Sequence, residues 1–277
     1  MLKHLKRFTY FAFVGWLFVS CSQEDGVAPK GDNLAMGNPS EAATDFSNYL
    51  IEKAQYSLSY NSYRGTPNWV SWHLSSTWLG SAPRQDDFRG DNSLPATFYR
   101  VTPADYTGSG FDRGHNAPSA DRTLTVEDNS ATFLMSNMIP QAPNNNQQTW
   151  ANLENYCRKL VSQGNELYII MGQYGKGGTG SAGFKETLAG GKITVPNRIW
   201  KVIVVLPEGN NDVNRVTSST RVIAIDTPNS NNISTSWATY RTTVDAIEAK
   251  TGYDILSNVS TTVQRVIEAR VDDGPTS

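Results

Sequence analysis

The residues best suited to chemistry lie in Phe111-Asp112-Arg113-Gly114-His115-Asn116-Ala117-Pro118. His115 is one of only three histidines in 277 residues. An imidazole with an ordinary pKa of about 6.5 is mostly neutral at pH 7 and can take a proton from an attacking water. It follows a cation and a glycine, a break at which a strand can end and a side chain can be aimed into a cleft. Gly114 is read as supplying the backbone geometry that points the ring. Downstream come Ser136-Asn137-Met138-Ile139-Pro140-Gln141, then Asn144-Asn145-Asn146-Gln147-Gln148-Thr149-Trp150 and Ala151-Asn152-Leu153-Glu154. Three consecutive asparagines suit a helix N-terminus as caps. Asn146, Trp150, Glu154 and Arg158 are spaced by four. On an α-helix such steps drift about 40° each and stay in one stripe. Taken alone, Glu154 and Arg158 read as an exposed pair worth about 0.2–0.5 kcal/mol.

Together these stretches resemble the active site of the sugar-non-specific DNA/RNA endonucleases, the endonuclease G-like nucleases with a ββα-metal site. The likeness rests on Asp112-Arg113-Gly114-His115, on Ser136-Asn137 followed by Pro140-Gln141, on Asn146-Gln147 before Trp150, and on Leu153-Glu154. Asp105-Tyr106-Thr107-Gly108-Ser109-Gly110 ahead of the tetrad matches as well. The resemblance runs from about Tyr63 to about Ser257. It implies that His115 is the general base and that Asn146, four residues before Trp150, is the direct metal ligand. It places Glu154 and Asp112 in the metal's surroundings, through water or as supports of its ligand. Arg113 becomes a phosphate contact, Asn137 and Arg158 line the substrate, and Arg84 reaches the phosphate, with Arg89 as the rival. The implied cofactor is magnesium, with manganese as a substitute. A hard cation of this kind prefers oxygen donors and retains its waters. A single neutral ligand would hold it weakly, reversibly by chelators. The implied products carry 5′-phosphate ends.

The elements that must position these groups can be read from pattern. Asn68 to Leu74, after the Gly65-Thr66-Pro67 turn, is a strand rich in aromatic and β-branched residues. His73 lies within it, without a partner motif, and reads as structural. Gln147 to Leu160 is helical, with Trp150, Leu153, Tyr156, Cys157 and Leu160 on its apolar face. Glu166 to Gly172, Ile193 to Pro196, Ile199 to Leu206 and Arg221 to Asp226 read as strands. Gly175 to Gly190 reads as a long loop, and it lacks the Lys and Ser/Thr of a phosphate cradle. Trp237 to Thr251 reads as one helix stopped by Gly252, and Thr261 to Ala269 as a closing helix. Tyr49 to Ala54 is weakly helical. The implied fold is α+β: a largely antiparallel central sheet with packed helices and a ββα-metal motif.

Bulk properties set outer limits. The length allows one large domain with a sizeable core. The formal net charge is −2. Without Lys3, Lys6 and Arg7 of the leader, 21 basic residues face 26 acidic ones and the balance is −5. DNA and RNA, the implied partners, are therefore not announced by overall charge and need a local basic cleft. Residues 1–20 read as a signal peptide: a basic start, then an apolar Phe8–Val19 run too short to span a bilayer comfortably. Phe18-Val19-Ser20-Cys21 resembles a bacterial lipobox, and Ser22-Gln23-Glu24-Asp25 resembles a surface-export tether. The expected location is outer-membrane or cell-surface, otherwise periplasmic or secreted, with membrane contact only through a lipid on Cys21. If Cys21 is acylated, Cys157 has no cysteine to pair with in the chain and reads as a small buried apolar residue. Residues 21–47 read as a flexible tether, rich in Gly, Pro, Asn and Ser, and 48–272 as the nuclease domain. A homodimer stays open. The rival readings are a surface-anchored binding lipoprotein that kept the fold without the chemistry, and a phosphodiesterase for another diester.

Overall fold

The computed structural model describes residues 32–277. The expected signal peptide, Cys21 and the acidic segment after it lie outside the described residues. From Asn33 the chain is already packed: Asn33, Met36 and Ala42 are buried, and the Asn33 amide donates to the carbonyls of Lys53 and Ala54. The tether expected over 21–47 is thus corrected at its C-terminal end. Few large apolar residues stand there, but single ones anchor it.

Strands β1 (Thr44–Asp45), β2 (Asn48–Glu52), β3 (Ser57–Asn61) and β4 (Thr66–Leu74) form an antiparallel meander. The weak helix expected over Tyr49–Ala54 is therefore mostly strand, because Leu50 and Ile51 pair with Ser59 and Leu58 across a sheet. After a long irregular excursion, β5 (Asp112–His115) pairs with β6 (Met138–Gln141), with the short helix α1 (Val126–Ala131) between them. A wide π-helical turn over Asn145–Trp150 runs into α2 (Ala151–Ser162). Strand β7 (Asn165–Tyr174) follows, then two small hairpins inside the expected loop region: β8 (Gly178–Gly180) with β9 (Gly183–Lys185), and β10 (Thr187–Leu188) with β11 (Ile193–Thr194). The chain continues through β12 (Arg198–Pro207), α3 (Asp212–Arg215) and β13 (Arg221–Pro228) to β14 (Arg241–Thr242), and ends in α4 (Val244–Thr251) and α5 (Thr261–Ile267). The single helix expected over Trp237–Thr251 is broken, because Arg241 and Thr242 pair with Ile225 and Ala224. Thr243 then caps α4 afresh by accepting from Ala246 N.

The main sheet has eight strands in the order β1-β2-β3-β4-β7-β12-β13-β14, every neighbour antiparallel. Alternation along its central strands loads both faces. Leu167, Ile169 and Met171 of β7 and Ile199 and Ile203 of β12 pack with Leu153, Cys157 and Leu160 of α2. Tyr168, Ile170, Trp200, Val202 and Val204 face the other way, against Val244 and Ile247 of α4 and Ile267 of α5. His73 is buried in β4 and meets Glu166 Oε2 at 2.9 Å, so it is structural.

One glycine of the central strand is set by a neighbour. A Cβ on Gly172 would come within 2.4 Å of the Trp200 indole and 2.7 Å of the Asn68 carbonyl oxygen. Neither can retreat inside a close-packed core, so Gly172→Ala should cost about 1–3 kcal/mol. Urea unfolding followed by tryptophan fluorescence checks this. An unchanged midpoint would show that the Trp200 packing is slack.

Candidate active site

The β5–β6 hairpin and the start of α2 meet at one carboxylate. Asp112 Oδ2 accepts from Asn146 Nδ2 and from Gln147 Nε2, both at 2.8 Å. These bonds hold the donor end of the Asn146 amide. Among the described residues its Oδ1 has no donor, and Asn146 lines the cleft described below. The three asparagines do different things. Asn144 is tied to Asn231, and Asn145 is buried with its amide donating to Thr227 Oγ1 and the Pro228 carbonyl. Asn146 alone offers an oxygen to the cleft. The π-helical turn makes the difference possible, since an i+5 repeat shifts side chains out of the α phase. For the same reason the expected stripe of Asn146, Trp150, Glu154 and Arg158 is not a uniform α-helical face. Trp150 is buried, with its Nε1 on Met171 Sδ at 3.3 Å.

Arg84, Phe88, Asp112, Arg113 and Asn146 line an open cleft of about 370 Å³. Arg113 lies over the Phe88 ring, Cζ 4.0 Å from its centroid, and Arg84 lies over Phe133 at 4.8 Å. Arg84 also bonds Ser119 Oγ and Asp86 Oδ1, each at 2.7 Å. The rival Arg89 is engaged by Asp87 and by the Ser130 carbonyl and does not line this cleft. Two guanidiniums on aromatic faces place cations in the cleft, where Asp86, paired with Arg84, and Asp112 balance them in formal charge.

His115 closes the site from within. Its ring stands edge-on to Phe88 and Phe133, centroids 5.5 and 4.9 Å away. Its Nε2 is shut from solvent and has no protein partner. Burial, then Arg84 and Arg113, bring its pKa down to about 3. Both causes disfavour the imidazolium, so the ring is neutral and can accept a proton at ordinary pH. Phe88 and Phe133, which form this box, were not among the expected site residues. Phe88 lies between the two candidate arginines in the sequence, which was its only signal.

Gly114 is needed for space, not for a left-handed backbone. It is absent from the residues of positive φ, and a Cβ there would meet Gln141 Oε1 at 2.3 Å. Asn137 is fully buried, accepts from Ala117 N at 3.0 Å, and donates to the carbonyls of Ala117 and Thr132 at 2.9 Å each. With its donors and acceptor engaged by backbone, it clamps the chain just after His115.

Glu154 faces the sheet. Its Oε1 is 3.4 Å from Lys201 Nζ, and Lys201 is wholly buried between the rings of Trp72 and Trp150. Burial raises the Glu154 pKa, and Lys201 opposes the rise. Arg158 reaches Asp121 Oδ1 at 2.7 Å and Asn155, while Asp121 Oδ2 accepts from Trp72 Nε1 at 3.0 Å. Arg158 is thus held by protein on this side of α2. Lys201 was also missed from sequence, although a lone lysine in the apolar run Trp200–Leu206 was its signal.

A model of the DNA/RNA non-specific endonucleases matches residues 34–262. The chain belongs to that family. It is 53% identical to a nuclease of Nostoc sp., over 87% of this chain and 86% of the relative. It is 34% identical to mitochondrial endonuclease G of Homo sapiens, over 58% of this chain and 56% of that protein. Among solved structures, that of an EndoG/EndoGI complex superposes with a TM-score of 0.67 at 24% identity, covering 83% of this chain and 92% of the other, which is a likeness of fold. Membership in the endonuclease family favours an enzyme over an inert binding lipoprotein. In this family member, the proton inventory of the site can be read directly. An NMR titration of the metal-free protein should find the His115 ring resonances unmoved between pH 8 and 5. They should shift only as pH falls toward about 3. A midpoint near 6.5 would show the ring to be solvated.

Proposed function

We propose that this nuclease is magnesium-dependent, with manganese as a substitute, and hydrolyses phosphodiester bonds of DNA and RNA to leave 5′-phosphate ends. The observation that carries the reading is a cleft lined by Arg84, Phe88, Asp112, Arg113 and Asn146, with the neutral imidazole of His115 packed against its Phe88 wall. The donors fit a hard cation, because Asp112 engages the donor end of the Asn146 amide and only oxygen is offered. When bound, magnesium supplies charge on the phosphate and a water acidic enough to protonate the leaving 3′ oxygen.

The chain's own groups do the rest. His115 takes the proton of the attacking water. Arg84 and Arg113 neutralise the phosphate oxygens, and they strengthen as charge develops in a cleft with aromatic walls. Asp112 keeps Asn146 oriented. Glu154, held by Lys201, accepts from water in the metal's surroundings. A single neutral ligand holds the ion weakly, so metal binding without substrate is weak. The lining groups suit phosphate more than base edges, so sequence preference is low. We also infer export, with a lipid on Cys21 as the membrane contact.

The test is digestion of plasmid and total RNA by purified protein with magnesium, with EDTA, and with His115→Ala. Cutting of both substrates should require magnesium and stop with EDTA. His115→Ala should lose about 100-fold or more, the cost of removing a general base. Equal activity in EDTA, or in His115→Ala, would overturn the assignment. Replacing Asn146 by Ala should raise the magnesium requirement and lower the rate together.

A further inference from the structure

A second group of oxygen ligands lies on the opposite face of the sheet from α2. Asp245 and Glu248 sit one turn apart on α4, and Glu268 follows the last turn of α5. One carboxylate oxygen from each lies within 4.8 Å of the other two. Asp245 is exposed, Glu248 half-buried and Glu268 buried. Oxygens bound to one calcium ion at about 2.3–2.6 Å lie no more than about 4.6–5.2 Å apart, so all three are within reach of a single ion.

Three acids together would not by themselves make a site. The deciding feature is Glu268, only 6% exposed, whose Oε1 is buried without any hydrogen-bond partner and whose carboxylate is turned toward the other two. Among the described residues none of the three makes an ion pair with a lysine or arginine. The charged neighbours that act on Glu268 are Glu248, Asp254 and Asp245, all of them carboxylates. Burial and this repulsion push its carboxyl up to about 8. Of its neighbours, Glu248 is already tied by one oxygen to Ile255 N, and Asp254 accepts from Gln264. The remaining oxygens converge on a point with excess negative charge and no protein cation.

We propose that Asp245, Glu248 and Glu268 form a divalent-cation site, suited to calcium, that staples the start of α4 to the end of α5. An oxygen-only set of flexible carboxylates, open to solvent at Asp245, matches calcium. The two helices already touch at this point, since Asp245 N donates to the Glu268 carbonyl at 3.2 Å. The ion replaces the proton that Glu268 otherwise holds and turns mutual repulsion into shared coordination. This site is separate from the cleft and owes nothing to the catalytic reading.

The experiment uses the full chain carrying Asn146→Ala, so that the cleft adds no binding of its own. Calcium chloride is titrated calorimetrically, and melting is followed in EDTA and in calcium. One calcium should bind, and a 100-fold excess over Kd should raise Tm by about 5 °C or more. Glu268→Gln and Asp245→Asn should each abolish the calcium shift, and the exposed Asp245 keeps the test valid if Glu268→Gln folds poorly. No calcium heat and no Tm shift, or a shift that survives both substitutions, would overturn the site.

Discussion

A lysine buried at the centre of a sheet demands an anion, and that demand organises this protein. Lys201 is wholly enclosed on β12, beneath α2, with the rings of Trp72 and Trp150 beside it. Removing an ammonium from water costs several kcal/mol unless charge and polarisable surface replace the solvent. Glu154 replaces it from α2, at 3.4 Å. The pairing fixes the rotation of α2 about its own axis, because no other acid of the helix is available to face the sheet. Once that rotation is set, the π-helical turn before the helix has one direction in which to deliver Asn146. Asp112 completes the register from β5. A charge pair on one side of the helix and a carboxylate–amide pair at its start thus set the cleft between them.

Around the cleft, two arginines and an imidazole share one set of aromatic surfaces. Phe88 and Phe133 carry the guanidiniums on their faces and hold the His115 ring edge-on. They cover Nε2 of a ring that is otherwise partly exposed, without placing an acid against it. An acid beside His115 would raise its pKa and hold it as imidazolium. Aromatic walls and neighbouring cations do the opposite, and the imidazole stays neutral.

Much of this was legible in the sequence, for reasons that differ by residue. His115 and Asn146 stand in motifs whose spacing is set by a hairpin and a helix start, and motif spacing is visible in one dimension. Central strands such as Leu167–Met171 declare themselves by apolar runs. Contacts made across long sequence separations do not. Lys201 reaches Glu154 from 47 residues away, and nothing local to either announces the other. Asn137 was legible as a site neighbour but not in its backbone contacts, because an amide facing substrate and an amide facing backbone have the same letter. The segment before Asn48 was read as tether from its composition. A few anchors, Asn33, Met36 and Ala42, are enough to dock it, and composition averages them away. The helix expected from Trp237 was overridden at Arg241 and Thr242 by sheet pairing, a tertiary contact that local propensity does not contain.

The rims of the main sheet bear on how such a protein behaves at high concentration. An antiparallel sheet of this width has two borders where unpaired amides and carbonyls can recruit a strand from another molecule. Here the outermost strand on each side, β1 and β14, is two residues long. So short a ladder offers a foreign strand little to grip. Arg241, on one of these borders, adds a charge that a second sheet would have to desolvate. The protection is local, because β14 covers only Ala224 and Ile225 of the eight-residue β13.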